Sequence, residues 1–183
     1  MATDKHVPII NPANAVTASR FLTLPVFYYF VANGMYQWAV ATVMICSLQD
    51  KLDGLVAKLF DCRSEFGAVL DALADGFCYG FFIIVLAAFS WVPWIPVVLL
   101  TVLGLINVYY RMVYAKRIGR KTNYKSYAME RVVAWAAYLG GFGGAGYQTD
   151  YMFWGCVVVM GIVVAHDVKR MGFDPVDVEA AAA

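Results

Sequence analysis

Long apolar segments separated by short polar connectors constrain the fold of this chain more than any other feature. Its 183 residues are 62% hydrophobic and only 15% charged, whereas soluble domains carry about 25% charged residues. A helix that crosses a membrane needs roughly 20 mostly apolar residues. The pattern predicts an all-α membrane protein with six transmembrane helices, near residues 21–33, 35–60, 64–92, 94–118, 126–146 and 150–171.

The basic residues all fall on one side of this predicted bundle. The 14 lysines and arginines lie before span one, at the adjoining ends of spans two and three and of spans four and five or in the connectors between them, or at the end of span six. Because basic connectors remain in the cytoplasm, we expect cytoplasmic termini and a multi-pass protein of the cytoplasmic (inner) membrane. The net charge of +1 does not indicate a nucleic-acid partner, and the first 20 residues lack the pattern of a signal peptide.

Two segments flank the six predicted spans. Residues 8–20 mix apolar and polar side chains at near-helical spacing around one cation, which predicts an amphipathic helix at the membrane interface. A plain N-terminal tail is the alternative. Residues 173–183 are predicted to form a disordered tail, and residues 1–172 a single membrane domain.

Four aspartates stand among these apolar residues. Asp50 and Asp53 are three positions apart on predicted helix two, and Asp71 and Asp75 are four apart on helix three, so each pair shares one helix face. The two helices are antiparallel neighbours, which allows the pairs to face each other. Four carboxylates that close repel one another unless cations neutralise them. Oxygen ligands without nearby histidine or cysteine predict Mg²⁺ or Mn²⁺.

Small residues accompany the aspartates. Gly54 and Ala57 follow Asp53 on helix two, and Gly67 lies one turn before Asp71 on helix three. A strip without bulky side chains admits either a ligand or a closely packed helix. Beside a metal centre a ligand is favoured over close helix packing, because metals that bridge phosphoryl oxygens support displacement at phosphorus. The sequence thus favours chemistry on a phosphate-containing substrate.

The spacing of these residues resembles the signature D-x-x-D-G-x-x-A-R…G-x-x-x-D-x-x-x-D of the CDP-alcohol phosphotransferases. Lys58 stands where family members usually carry arginine, which retains the charge but loses the bidentate fork. The segment Asn14-x-x-Thr17-x-x-Arg20, followed by Pro25, is similar to the opening segment of many bacterial members, including phosphatidylglycerophosphate synthases. The residues that match the signature are Asp50, Asp53, Gly54, Ala57, Gly67, Asp71 and Asp75.

The resemblance implies a six-helix membrane enzyme, commonly a homodimer, with its active site facing the cytoplasm. The donor would be CDP-diacylglycerol, with its diphosphate on two divalent metals, Mg²⁺ or Mn²⁺. In the family the last aspartate of the signature, here Asp75, is the general base that activates the acceptor hydroxyl, and CMP is released. The implied metal ligands are Asp50, Asp53, Asp71 and Asp75. The implied nucleotide-binding residues are Asp50, Asp53, Gly54, Ala57, Lys58, Gly67 and Asp71.

Basic residues around the connector between spans four and five bear on the acceptor alcohol. Arg111 and Arg131 stand in apolar helical surroundings, and with Lys116 they are predicted to contact the phosphate of an anionic acceptor. Anchoring of the connector to anionic lipid is one alternative, and an ion pair between Glu130 and Arg131 is another. A small polar alcohol is predicted, with glycerol 3-phosphate favoured over inositol phosphate, inositol or serine.

An ion or metal transporter is the rival class of protein, because aspartates within spans often mark ion paths. A transporter also needs polar groups towards the opposite side of the membrane. The distal halves of spans two and three, MYQWAVATVMI and FFIIVLAAFSW, contain no acidic or basic side chain. The one-sided clustering of the aspartates therefore favours an enzyme.

Overall fold

The computed structural model describes residues 11–62, 64–118 and 127–173. Over these ranges the chain is helical and contains no β-strand, which confirms the predicted all-α class. Short turns and two 3₁₀ segments, Arg20–Leu22 and Phe142–Ala145, join the helices. The helices are α1 Pro12–Ser19, α2 Thr23–Ala32, α3 Tyr36–Leu59, α4 Glu65–Ala88, α5 Trp94–Ile118, α6 Tyr127–Gly141 and α7 Asp150–Phe173.

Within the described ranges, four helical segments are long and apolar enough to cross a membrane, namely Pro12–Ala32, Phe66–Ala88, Trp94–Arg111 and Asp150–Lys169. They correspond to four of the six predicted spans. α3 has 24 residues but carries Asp50, Lys51 and Asp53 in its second half, and α6 has only 15 residues. Six spans and cytoplasmic termini therefore remain predictions.

The predicted interfacial helix is continuous with the first span. α1 runs through the 3₁₀ segment into α2, so that Pro12–Ala32 forms one 21-residue candidate span. Asn14 and Thr17 are buried, and α1 packs against both α3 and α4. The polar side of this segment thus lies against protein, which differs from the separate surface helix expected from the sequence. The predicted disordered tail lies, from residue 174 onward, outside the described residues.

The turn between α3 and α4 determines how the aspartates meet. After α3 ends, Asp61 adopts a left-handed conformation with a φ of 46°, which aspartate tolerates better than most residues. Ser64 then caps α4, its hydroxyl oxygen accepting a hydrogen bond of 3.0 Å from the N–H of Gly67. α4 therefore starts beside the end of α3, where both aspartate pairs lie.

Close contacts hold α4 at the centre of the bundle. Phe82 on α4 and Phe27 on α2 are fully buried, with ring centroids 4.5 Å apart. A Cβ added to Gly140 on α6 would lie 2.7 Å from Leu86 on α4, and one added to Gly141 would overlap Val40 on α3. α6 therefore packs directly on α3 and α4.

Candidate metal centre

Four carboxylates from α3 and α4 meet at one place in the structure. Carboxylate oxygens of Asp50, Asp53 and Asp71 lie within 4.8 Å of one another, and a second group at this spacing contains Asp50, Asp75 and Glu130. Asp53 and Asp75 are each only 6% exposed, while the side chains of Asp50 and Asp71 are 18% and 25% exposed. The structure thus brings the two aspartate pairs together, and it adds Glu130 from α6.

The guanidinium of Arg20 lies inside this carboxylate cluster, although no role in the site was predicted for it. Arg20 is fully buried. Its Nη1 atom lies 3.1 Å from an oxygen of Asp71, 3.5 Å from Asp50 and 3.9 Å from Asp53, and its Nη2 atom donates to Asp75. One cation therefore offsets part of the repulsion among four carboxylates in a weakly screened environment.

Two further polar residues of α1 reach the same region. The Thr17 hydroxyl lies 2.8 Å from a carboxylate oxygen of Asp53 and 3.1 Å from the Ala13 carbonyl oxygen, and it can donate to one of them at a time. Asn14 lies against Gly67 at the start of α4. α1 thus supplies a polar wall to a site that the sequence assigned to α3 and α4 alone.

A cavity of about 330 Å³ opens beside the cluster, between α1, α3 and α4. Five of the seven predicted nucleotide-binding residues line this cavity, namely Asp53, Gly54, Ala57, Gly67 and Asp71. Of the other two, Asp50 belongs to the carboxylate cluster, and Lys58 is exposed and does not line this cavity. The lining residues that were not predicted are Ala13, Asn14, Thr17, Cys62, Ser64 and Ala68.

Gly54 and Gly67 contribute to this cavity in different ways. A Cβ added to Gly67 would lie 2.7 Å from Oδ1 of Asn14 and 3.1 Å from Oγ of Ser64. Gly67 is therefore needed for the packing of α1 on α4. A Cβ added to Gly54 would meet no heavy atom within 4 Å, so packing against the described residues does not require a glycine at this position of the cavity wall.

A second cavity, of about 220 Å³, lies between α4, α5 and α6. Most of its wall is apolar or small, with Gly76 on α4 and Gly104 on α5. Its polar groups are the carboxylates of Asp75 and Glu130 and the hydroxyls of Tyr79 and Thr101. Asp75 therefore belongs both to the carboxylate cluster and to the wall of a separate cavity.

Of the three basic residues predicted to contact the acceptor, Arg111 and Arg131 line neither of the two cavities. Arg111 donates to Asp167 on α7 at 2.7 Å and to Asn107 at 2.9 Å, and Asn107 also donates to Asp167. These contacts tie α5 to α7. Arg131 is exposed, and the side chain of Lys116 lies outside the described part of the chain. An acceptor-binding role for these residues remains a prediction.

Replacing Arg111 by glutamine and Asp167 by asparagine is expected to reduce stability by similar amounts, because each change breaks the same half-buried ion pair. We expect a cost of about 1–2 kcal/mol, which lowers Tm by roughly 2–8 °C in a chain of this size. Thermal unfolding of the two single variants and the double variant in detergent measures this. If the double variant loses the full sum of the single losses, the two residues do not stabilise the fold through their contact.

The donor set of the cluster fits hard divalent cations. The octahedral shell of Mg²⁺, with metal–oxygen distances of about 2.1 Å, separates neighbouring ligand oxygens by roughly 3–4 Å. The oxygens of Asp50, Asp53 and Asp71 already lie within 4.8 Å of one another. Neither acidic group in the described ranges includes a histidine or cysteine, so the donor atoms are all carboxylate oxygens, which suit magnesium or manganese better than zinc.

The fold and the site together define a class of protein, a bundle of apolar, membrane-type helices with a buried carboxylate centre beside a glycine-walled cavity. The sequence model of one family, the CDP-alcohol phosphatidyltransferases, matches residues 10–165. The match covers the Asn14–Arg20 segment and all four aspartates. This chain belongs to the CDP-alcohol phosphatidyltransferase family.

Curated relatives share shorter regions with the chain. A CDP-diacylglycerol–glycerol-3-phosphate 3-phosphatidyltransferase of Aquifex aeolicus is 33% identical over 66 residues, which is 36% of this chain and 37% of the relative. A Mycobacterium tuberculosis protein named "Probable phosphatidylglycerophosphate synthase" is 35% identical over 103 residues, 51% of this chain and 48% of the relative. The chain thus spans about half or less of the length of these relatives.

Proposed function

We propose that this chain transfers the phosphatidyl group of CDP-diacylglycerol to the hydroxyl of a small polar alcohol and releases CMP. The observation that carries the proposal is the meeting of the four signature aspartates at the edge of a cavity in which Gly54 leaves unexplained open space. Family membership supports the same reaction class.

The carboxylates of Asp50, Asp53, Asp71 and Asp75 would hold two divalent cations, Mg²⁺ or Mn²⁺. When bound, these cations neutralise the charge of the donor diphosphate and polarise its phosphorus atoms. The cavity between α1, α3 and α4 would take the nucleotide, with Gly54 and Ala57 leaving room for it and Thr17 offering a hydroxyl. Lys58 would add a positive charge at the exposed end of α3.

Asp75 would act on the acceptor; its place in the wall of the second cavity and in the carboxylate cluster supports this role. An acceptor hydroxyl in that cavity would give its proton to a carboxylate oxygen of Asp75. The acceptor oxygen then bonds to the phosphorus that carries the lipid, and the bond from that phosphorus to the CMP oxygen breaks. Glu130 on α6, whose carboxylate lies within 4.8 Å of that of Asp75, would orient the acceptor by accepting hydrogen bonds from it.

Glycerol 3-phosphate is the acceptor we favour. It is the acceptor in the name of the Aquifex relative, and an anionic acceptor suits the basic residues Arg111, Lys116 and Arg131. In this proposal Arg111 exchanges its contact with Asp167 for the acceptor phosphate. The site would face the cytoplasm in the cytoplasmic membrane, in a homodimer.

The proposed reaction is tested by measuring CMP release from CDP-diacylglycerol by the purified protein with Mn²⁺. Glycerol 3-phosphate, inositol phosphate, inositol and serine are offered separately. We expect the highest rate with glycerol 3-phosphate and no release after chelation of the metal. A higher rate with another alcohol would overturn only the choice of acceptor. Metal uptake into vesicles without CMP release under any condition would instead support a transporter.

The open space at Gly54 predicts a selective effect on the donor. Gly54→Ala adds a methyl group to the cavity and contacts nothing in the protein. We expect KM for CDP-diacylglycerol to rise about tenfold or more, as for one unaccommodated methylene in a pocket, with Tm unchanged or slightly raised. Gly161→Ala, on α7 and equally unhindered, is the matched control. Equal KM values for both variants would exclude Gly54 from the donor site.

A further inference from the structure

The position of Arg20 carries an inference beyond the proposed reaction. Its side chain is fully buried, and its two terminal nitrogens contact all four carboxylates of the cluster. Nη1 lies between Asp50, Asp53 and Asp71, at distances of 3.1–3.9 Å. These are the three residues whose oxygens form the first candidate cation group.

A divalent cation and the Arg20 guanidinium compete for the same oxygens. A metal bound by Asp50, Asp53 and Asp71 needs direct contacts of about 2.1 Å to their oxygens, and Nη1 occupies the space between them. Two cations that close in a buried, weakly screened site also repel each other. The two states of the cluster, paired with arginine or loaded with metal, are therefore mutually exclusive around these three residues.

The guanidinium is held in a way that allows it to leave. Its Nε–H is buried and has no hydrogen-bond partner within the described ranges, so the cluster satisfies the side chain only in part. Arg20 also begins the 3₁₀ segment between α1 and α2, and such irregular turns within a helical run often mark hinges. The contact with Asp75 is made through the other terminal nitrogen, Nη2.

We propose that Arg20 is a resident counter-cation, which holds the metal-free carboxylate cluster together and is displaced from Asp50, Asp53 and Asp71 when metal binds. The inference rests on the metal centre of the proposed function. Arg20 stabilises the fold before metal arrives, and it weakens metal binding by the free energy needed to move it. Metal affinity and metal-free stability are therefore coupled in opposite directions through this one side chain.

The test measures Mn²⁺ affinity by calorimetry and Tm with and without metal. For Arg20→Gln we expect binding tighter by on the order of tenfold or more, a lower Tm without metal and a larger rise in Tm when Mn²⁺ is added. Lys51→Gln is the control, because it also removes one positive charge next to Asp50 but from an exposed side chain. Affinity unchanged or weaker in Arg20→Gln, or equally tightened in Lys51→Gln, overturns the inference.

Two further measurements cover the case in which Arg20→Gln does not fold. Arg20→Lys retains a charge but cannot span the cluster. We expect this variant to bind Mn²⁺ more tightly than wild type does. If Arg20→Gln folds, the affinity of Arg20→Lys should lie between those of wild type and Arg20→Gln. A structure of the wild-type protein with Mn²⁺ should show Nη1 withdrawn from Asp50, Asp53 and Asp71. A structure that shows bound metal with Nη1 still in place would overturn the inference about Arg20 but not the metal centre. Absence of Mn²⁺ binding in wild type and variants overturns the metal centre, and the proposed function with it.

Discussion

Asp75→Asn is expected to reduce the rate of CMP release by about 10²–10⁴-fold, the range that a positioned general base contributes. The amide keeps the size of the side chain but cannot take a proton from the acceptor. It also removes one charge from the cluster, where Asp75 accepts from Arg20 and lies near Asp50 and Glu130. The rate of CMP release at saturating donor and acceptor is the measurement.

The control for Asp75→Asn is Asp150→Asn, the same change at an exposed position on the first turn of α7. We expect this control to retain close to wild-type turnover. Calorimetry with Mn²⁺ separates the two roles of Asp75, since a base contributes to turnover alone and a ligand also contributes to metal affinity. Turnover of Asp75→Asn within about threefold of wild type would remove Asp75 from the chemistry.

Gly143→Ala is expected to cause the largest loss of stability of any methyl-sized change considered. An added Cβ would overlap the carbonyl oxygen of Trp91 and lie 2.9 Å from its carbonyl carbon. Both are backbone atoms, which cannot rotate away as a side chain does, so the turn after α4 or the 3₁₀ segment after α6 must move. We expect a cost of about 3 kcal/mol, which lowers Tm by roughly 6–12 °C.

Gly155→Ala is the matched control for Gly143→Ala, because a Cβ at Gly155 on α7 meets no heavy atom within 4 Å. Alanine is favoured over glycine inside a helix by about 1 kcal/mol, so we expect this variant to keep or slightly raise Tm. Thermal unfolding in the same detergent compares the two. If Gly143→Ala unfolded at the temperature of Gly155→Ala, the close packing of the 3₁₀ segment on Trp91 would be contradicted.

The sequence predicted the two helices that carry the aspartates because their signals are local. Helical periodicity puts Asp50 with Asp53, and Asp71 with Asp75, on one face each. A short connector with Asp61 and a capping Ser64 then joins the helices as neighbours. Predicted bounds of 35–60 and 64–92 compare with observed helices Tyr36–Leu59 and Glu65–Ala88. The differences lie at the helix ends, where end effects are strongest.

The role of α1 could not be predicted as readily, because it depends on contacts between residues far apart in sequence. Arg20 pairs with aspartates 30 to 55 positions away in the sequence, and no local pattern predicts a contact over that separation. One signal was available. Asn14, Thr17 and Arg20 recur every three residues in an apolar segment, and a polar stripe on a helix that enters a membrane indicates a protein partner for that face. The prediction of an interfacial helix instead had these polar side chains facing water.

Glu130 is a second residue whose position depends on contacts that the sequence does not record. Sequence neighbours suggested an ion pair with Arg131, but adjacent residues on a helix point in different directions. The structure places Glu130 with Asp50 and Asp75, while Arg131 is exposed. The packing of α6 on α3 and α4 through Gly140 and Gly141 produces this arrangement. Such packing depends on three helices at once, which a pattern along one helix does not record.

Electron paramagnetic resonance of the purified protein titrated with Mn²⁺ tests most directly whether the four aspartates form a two-metal centre. Two ions held about 3.5–4 Å apart, as in two-metal phosphoryl-transfer sites, should give a spin-coupled signal that saturates at two equivalents per chain. Asp71→Asn should abolish that signal, and Asp150→Asn should retain it. An uncoupled six-line spectrum at every ratio, or a coupled signal that survives in Asp71→Asn, would contradict the account.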